Sequence, residues 1–354
     1  MPQVAVFHGP NQAFELASYP LPEPQGREVL VKVACCTLCR GDLHTHAGRR
    51  KEPAPSVLGH EIVGRIEAFG SNTAYVDYRG LPLHVGDRIT WSVTASCGKC
   101  LLCEDRIPQK CSAVFKYGHQ QHDPQMPFSG GLAEYVLLKP GTSIVRIADS
   151  VPDSLAALAN CATATAASVL REIGIISHRS LMIFGAGVLG LTATAMARTM
   201  GVKRVIVCEP DAQRREQALA FGATEVFAPD DYPKGTVDVA LELAGTKESV
   251  EAAFAAPRVG GTVMLAGTLQ PTPGVLFDPE GAVRRMLTMH GVHNYTPIDL
   301  AEAVAFLEIH AKPFPFADLI GPSFRLEEVD AAFAYGHAHP GQHVAIVPLS
   351  EPRP

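Results

Sequence analysis

The sequence predicts a two-domain α/β protein, in which a mostly β domain drawn from both chain ends surrounds a doubly wound parallel sheet. Three observations predict this. Residues 1 to about 150 carry short alternating or apolar runs punctuated by Pro and Gly. From Val151 apolar runs alternate with helical patterns, as βαβ crossovers require. After about Asp299 the first texture returns. A chain of 354 residues is also long for a single hydrophobic core. The expected boundaries are residues 1–155 and 294–354 for the β-rich domain and 156–293 for the parallel-sheet domain.

In the first segment, strands are expected at Val4–Phe7, Glu28–Val33, Ile62–Phe69 and Arg88–Val93, with loop-rich stretches at Asp77–Val85 and Tyr117–Gly131. In the second, strands at Leu181–Phe184, Arg204–Cys208, Glu225–Phe227, Val237–Leu243, Thr262–Ala266 and Leu287–Val292 give about six. Helices are expected at Val188–Met200 and Asp211–Phe221. A last helix, Asp299–His310, and apolar strands near Leu319 and at Val344–Val347 complete the β-rich domain.

Charge and composition narrow the function. With 47% hydrophobic and 19% charged residues the chain has ordinary globular composition. A formal net charge of −6 gives no general attraction to phosphate backbones, which argues against a nucleic-acid partner. The start, MPQVAVFHGPNQ, lacks a basic region followed by an apolar core. The stretch Leu155–Leu170 is interrupted by Asn160, Thr163, Thr165 and Ser168 and is too short to span a bilayer. A cytoplasmic, membrane-free protein is therefore expected. Nine cysteines in such a chain suggest metal ligation over disulfides, and their clustering agrees.

Gly185-Ala-Gly187-Val188-Leu189-Gly190 follows one expected strand and opens a helix, and a second strand then ends in Glu209. That is the context a dinucleotide-binding fingerprint requires. Gly185 permits the tight turn, Gly187 lets the backbone approach a pyrophosphate, and Gly190 permits close helix–strand contact. The amides around Val188 and Leu189, at the helix start, face the phosphate charge. Glu209 would accept hydrogen bonds from ribose hydroxyls and repel a 2′-phosphate, which favours NAD over NADP; Arg214 could contact the ribose or accommodate a phosphate.

Cys97-x2-Cys100-x2-Cys103-x7-Cys111 supplies four thiolates on one short lobe, as a closed tetrahedral zinc site would need. An iron–sulfur cluster is the alternative, since ferredoxin-like spacings also use C-x2-C-x2-C. Cys39, the pair His60-Glu61 and Cys161 are candidates for a second, open metal site. Taken singly, each cysteine reads more readily as a small buried thiol and His60 as a core histidine.

Their joint pattern resembles a known family. Cys39-Arg40-Gly41-Asp42-Leu-His44-x3-Gly48, Gly59-His60-Glu61-x2-Gly64, the four-cysteine lobe, Gly130-Gly131-x-Ala133-Glu134-Tyr135 and the Gly185 motif follow one another in the order found in zinc-dependent medium-chain dehydrogenases/reductases. This family includes alcohol, sorbitol and threonine dehydrogenases. The resemblance spans essentially the whole chain and implies a GroES-like catalytic domain with a zinc lobe beside a Rossmann-type domain. It implies two zinc ions per chain, NAD, a small alcohol or carbonyl substrate, and assembly as a homodimer or homotetramer.

By position, Cys39, His60 and Cys161 would hold the catalytic zinc, and Glu61 would ligate it transiently or directly. Asp42 would orient His60, His44 would pass the alcohol proton toward solvent, and Arg40 would face the cofactor pyrophosphate. The implied reaction moves hydride between an alcohol, secondary, polyol-like or anion-bearing, and NAD. A C=N or C=C reductase on the same scaffold, or a non-catalytic zinc-stabilised nucleotide-binding protein, are the alternatives. One departure stands out: relatives often carry Ser or Thr where this chain has Gly41. The basic stretch His44-Thr-His46-Ala-Gly48-Arg49-Arg50-Lys51 reads as a solvated loop or as a clamp in which Arg49 or Arg50 holds a substrate anion. His119-Gln-Gln-His122 could line the same cleft. With Gly291-Val-His293-Asn-Tyr295, these features resemble members associated with phosphonate breakdown.

Overall fold

The computed structural model describes residues 1–71, 74–174 and 177–348. The chain forms two compact units. The first comprises residues Met1–Ala164, Thr296–Ile309 and Phe316–Pro354, and the second Thr165–Tyr295 with His310–Pro315.

The second unit is built on six parallel strands: Ser180–Phe184, Arg204–Cys208, Glu225–Phe227, Val237–Glu242, Pro257–Leu265 and Thr288–Gly291. In chain order they lie 3-2-1-4-5-6 across the sheet. This is the doubly wound dinucleotide-binding order, with its crevice beside strands 1 and 4. Ser180–Phe184 and Val237–Glu242 are buried nearly throughout, as strands covered on both faces must be. The helices Val188–Thr199 and Ala212–Ala220 fall within two residues of their expected ends.

The first unit is mostly antiparallel. Its larger sheet runs Ile320–Arg325, His343–Val347, Val29–Leu38, Glu61–Phe69, Arg88–Ala95, Phe115–Lys116, with Tyr135–Leu138 and Thr142–Arg146 added alongside. Gln3–Phe7 pairs with Glu15–Ser18 and Ser56–Val57 in a smaller sheet. Val4, Leu30, Ile62, Trp91 and Val136 are among the core residues. Register matters for chemistry here. Thr37 lies opposite Glu61, and Ala345 lies opposite Thr37, so three strands bring their ends to one place.

The structure adds elements the sequence conceals. Ala162–Ile173 is a helix buried except at Thr165, Arg171 and Glu172, so few polar residues mark its outer face. The strand Pro257–Leu265 begins five residues before the apolar run, because Pro257, Gly260 and Gly261 mask its start. No helix among the described residues is long and apolar enough to cross a membrane.

Backbone closeness holds the first unit's centre together. Gly131 N donates to Gly59 O at 2.8 Å and Leu132 N to Leu58 O at 3.0 Å, laying the Gly130–Gly131 segment on the residues before His60. A Cβ on Gly130 would stand 2.1 Å from Val57 O. Gly130→Ala must therefore part the two segments, at a cost of about 1–3 kcal/mol as for other overpacked sites. A clear fall in melting temperature is expected; an unchanged melt would show that this contact is not a constraint.

Candidate active site and metal centres

Three side chains from separate segments of the first unit converge. Cys39 caps the short helix Arg40–His46, and its sulfur accepts from Gly41 N at 3.4 Å. His60 follows Gly59, whose φ of +87° favours glycine, and a Cβ there would lie 2.7 Å from Cys36 Sγ. Cys161 ends the turn Ala157–Asn160, which Asn160 clamps by accepting from Ile62 N at 3.1 Å and donating to Trp91 O at 3.0 Å.

The ligating atoms of Cys39, His60 and Cys161 all lie within 4.8 Å of one another. Cys39 Sγ to Cys161 Sγ is 3.8 Å, and Cys161 Sγ to His60 Nε2 is 3.4 Å. Tetrahedral zinc, with Zn–S of about 2.3 Å and Zn–N of about 2.0–2.1 Å, places such pairs about 3.8 and 3.5 Å apart. The donor set fits zinc with one position left over. The hydrogen bond from Cys161, against the opposing effect of burial, holds the Cys39 thiol well below the usual thiol range.

Asp42, buried, joins two of these segments. Its Oδ2 accepts from Cys39 N at 3.0 Å, and its Oδ1 accepts from Gly59 N at 3.3 Å and lies 3.3 Å from His60 Nδ1. With Nδ1 facing a carboxylate, His60 presents Nε2 to the cluster.

Glu61 stands outside the three-residue set. Its Oε2 accepts from Thr37 Oγ1 at 2.6 Å and pairs with His343 Nδ1 at 2.7 Å. These bonds tie one carboxylate oxygen to the neighbouring strands. Its other oxygen, Oε1, is buried with no hydrogen-bond partner among the described residues. Burial alone would lower the pKa of His343, but the Glu61 charge and hydrogen bond raise it. Nothing in the sequence marks His343: it is 282 residues from Glu61 and sits in no motif.

His44 is placed differently from a free relay. Arg49 Nε donates to His44 Nδ1 at 2.9 Å, so in this arrangement the ring proton is on Nε2 and Nδ1 is already engaged. Burial first, then the charges of Arg40 and Arg49, bring His44 from 6.5 down to about 4. Arg40 itself is exposed at the first position of the helix. His122 bonds Tyr19 Oη at 2.9 Å, whereas the His119 ring packs 4.9 Å from that of His60.

Cys97, Cys100, Cys103 and Cys111 form a second cluster with all four sulfurs within 4.8 Å. Cys100 Sγ lies 3.5 Å from Cys103 Sγ and 3.8 Å from Cys111 Sγ, again near the tetrahedral Zn–S₄ spacing of about 3.8 Å. Backbone N–H groups of Cys97 and Ala113 point at Cys111 Sγ, at 3.3 and 3.4 Å. The helix Leu101–Glu104 buries no residue, so this lobe lacks an apolar core of its own.

In the second unit, Gly185 closes the strand at φ +103° and Gly187 caps the helix Val188–Thr199. A Cβ on Gly190 would stand 1.9 Å from Gly185 O, which requires glycine; one on Gly187 would meet nothing within 4 Å, leaving backbone open to a ligand. Val188 and Leu189 form the helix's first turn. Glu209 is busier than expected: Oε2 accepts from Ala186 N at 2.8 Å and Oε1 from Asp211 N at 3.1 Å, so it also braces the glycine loop. Arg214 is half-buried in the first turn of Ala212–Ala220. Glu242, fully buried at the end of its strand, likewise accepts from Ala244 N, Gly245 N and Thr268 Oγ1.

The chain matches two families of known proteins: the alcohol dehydrogenase GroES-like domain over residues 25–149 and the zinc-binding dehydrogenase domain over residues 188–308. It is 30% identical to an L-threonine 3-dehydrogenase of Pyrococcus horikoshii, over 80% of each chain. It is also 30% identical to a geraniol dehydrogenase of Castellaniella defragrans, over 87% of each. A zinc-binding dehydrogenase of Sinorhizobium meliloti, solved with NADP, superposes with a TM-score of 0.85 at 25% identity, covering 98% of this chain and 99% of that one. The chain thus belongs to the zinc-binding medium-chain alcohol dehydrogenase family of oxidoreductases, with a GroES-like and a Rossmann-type domain.

His44 carries a pH dependence. Its folded pKa of about 4 lies below the ordinary 6.5, so its neutral form stabilises the fold fully above pH 6.5, and that contribution is lost as pH falls toward 4. His44→Asn should therefore lose less melting temperature than the parent between pH 7.5 and 5. Equal losses would remove His44 from the acid response.

Proposed function

We propose that the chain is a two-zinc, NAD-dependent alcohol dehydrogenase, interconverting a secondary, polyol-like or anion-bearing alcohol with its ketone or aldehyde. The observation that carries this is the Cys39–His60–Cys161 cluster, whose spacing suits zinc and leaves one coordination position for an oxygen ligand. When bound, zinc would supply Lewis acidity to the substrate oxygen, and NAD would accept the hydride.

The chain's own residues would do the rest. Cys39, His60 and Cys161 bind the catalytic ion; Asp42 fixes the ring of His60; Glu61, with a buried free oxygen, tunes the charge beside it. Cys97, Cys100, Cys103 and Cys111 bind a structural ion that orders their lobe. The glycine loop from Gly185 to Gly190 and the first turn at Val188 and Leu189 receive the pyrophosphate, with Arg40 as a further cation for it. The unused lone pairs of Glu209 accept from the ribose hydroxyls and disfavour a 2′-phosphate; Arg214 would be the group that tolerates one. Gly41 offers no hydroxyl and His44 Nδ1 is engaged, so the alcohol proton is left to water.

Zinc-loaded protein given NAD and a panel of simple, polyol, amino and anionic alcohols should reduce NAD, faster than NADP, and contain two zinc ions per chain. Cys161→Ser should lose one ion and retain less than about a thousandth of the activity, since Lewis-acid catalysis is worth several kcal/mol. Cys103→Ser should lose the other ion and melt earlier. An active, one-zinc Cys161→Ser protein would sink the assignment.

The chain would act as a homodimer or a dimer of dimers. Thr288–Gly291 is an edge strand of the six-stranded sheet and is exposed along its length, and Leu276, Val283 and Met286, which precede it in the chain, are 75, 77 and 74% exposed. An apolar open edge is a ready template for a second copy of the chain. Light scattering should show an oligomer that Met289→Lys dissociates; a monomeric parent would exclude this interface.

A further inference from the structure

Gly41 is more than a missing hydroxyl. A Cβ built there would lie 2.9 Å from Arg50 Nη1, 3.7 Å from His60 Cε1 and 3.8 Å from Cys39 Sγ. The Arg50 guanidinium therefore reaches the rim of the metal cluster through space that any side chain at position 41 would contest.

It is held there by design of the surrounding residues. Arg50 Nη2 pairs with Glu52 Oε1 at 2.6 Å, and the same oxygen lies 3.2 Å from Nδ1 of His119, whose ring packs on His60. The Arg50 and Glu52 side chains are only 16 and 14% exposed. Arg49, by contrast, is exposed and committed to His44. Lys116, half-buried in the short strand Phe115–Lys116, feels the same charges. Burial first, then the charge of Arg50, bring its ammonium from 10.5 down to about 8, with Glu52 and Cys161 opposing. The other nitrogen of the half-buried Arg50 guanidinium, Nη1, is turned to Gly41 and the metal cluster, and a partly desolvated cationic donor there is best completed by an anion.

We propose that Arg50 binds an oxyanion carried by the alcohol substrate close to the reacting carbon, and that Gly41 is the opening that lets the guanidinium reach it. The proposal rests on the alcohol dehydrogenase reading for the identity of the reacting group, but the oxyanion site stands on Arg50, Glu52 and Gly41. Carboxylate, phosphonate, sulfonate and phosphate ester share the chemistry that a guanidinium fork recognises.

The test uses full-length, zinc-loaded enzyme and matched secondary alcohols: hydroxy acids and hydroxyphosphonates against their uncharged esters. The parent should prefer the charged member of each pair. In Arg50→Gln that preference should fall about 10- to 100-fold, the worth of a charge-assisted hydrogen bond, mainly through KM. Arg50→Lys should recover part of it, and Gly41→Ser, by crowding the guanidinium, should also weaken it. A parent that favours the esters, or an Arg50→Gln that slows both members equally, would overturn the proposal.

A second readout is independent of turnover. Acetate, methylphosphonate and methanesulfonate should raise the melting temperature of the parent and raise that of Arg50→Gln much less. The strongest of the three identifies the substrate's anionic group. Equal shifts in both proteins, or none in the parent, would refute the site. If no alcohol of either kind is oxidised, the dehydrogenase assignment fails, and the Arg50-dependent shift still decides whether the oxyanion site exists.

Discussion

The buried carboxylate of Asp42 is the interaction on which the first unit's chemistry depends. It accepts from the backbone of Cys39 and of Gly59 and faces His60 Nδ1. Two segments far apart in sequence are thereby tied through a single charged group. A buried charge is costly unless fully paired, so this one tolerates little movement of either segment. The glycines around it are the steric counterpart. Gly59, Gly118 and Gly130 each sit where an added Cβ would meet backbone or a sulfur at 2.1–2.7 Å. Charge satisfaction pulls the segments together, and the absence of side chains permits it. The geometry of the three-residue cluster follows from these two facts and from the Asn160 clamp under Cys161.

Much of this was legible in the sequence, and the reasons are physical. The glycine loop announces itself because a strand, a tight turn and a helix must follow one another within a few residues. The four-cysteine lobe is equally local, its ligands lying between Cys97 and Cys111. The parallel sheet is visible because its central strands are continuous apolar runs. The less legible features are those assembled by strand pairing. His343 reaches Glu61 only because the last strand pairs beside Val29–Leu38, which pairs in turn with Glu61–Phe69. That pairing also sets the surroundings of Glu61, whose Oε2 is drawn to Thr37 and His343. Glu209 shows an omission of the same kind, since its place at a strand end signals ribose binding while its bonds to Ala186 and Asp211 become visible only in three dimensions.

The basic stretch after Cys39 illustrates how far composition can go. Sequence alone leaves Arg49 and Arg50 equivalent. Geometry separates them completely, one bonded to a histidine on the surface and the other sheltered against Glu52. The relatives with named alcohols act on an amino acid in one case and a terpene in another, at the same level of identity. Family membership therefore says little about what lies around the open metal position, and the side chains there must be read individually.

Replacing a hydroxyl by a guanidinium at that rim has a consequence for proton movement as well as for binding. A serine or threonine can donate and accept and so can hand a proton onward; an arginine only donates. His44, the next group along the expected route, has its Nδ1 already filled by Arg49. Position 41 thus has no hydroxyl, and His44 Nδ1 is filled by an arginine donor. Positive charge at this rim still favours the deprotonated alcohol electrostatically, so the oxygen need not lose its proton to a strong base. Arg50 would in this view exchange a directed relay for a field that stabilises negative charge on the substrate, leaving water to carry the proton away.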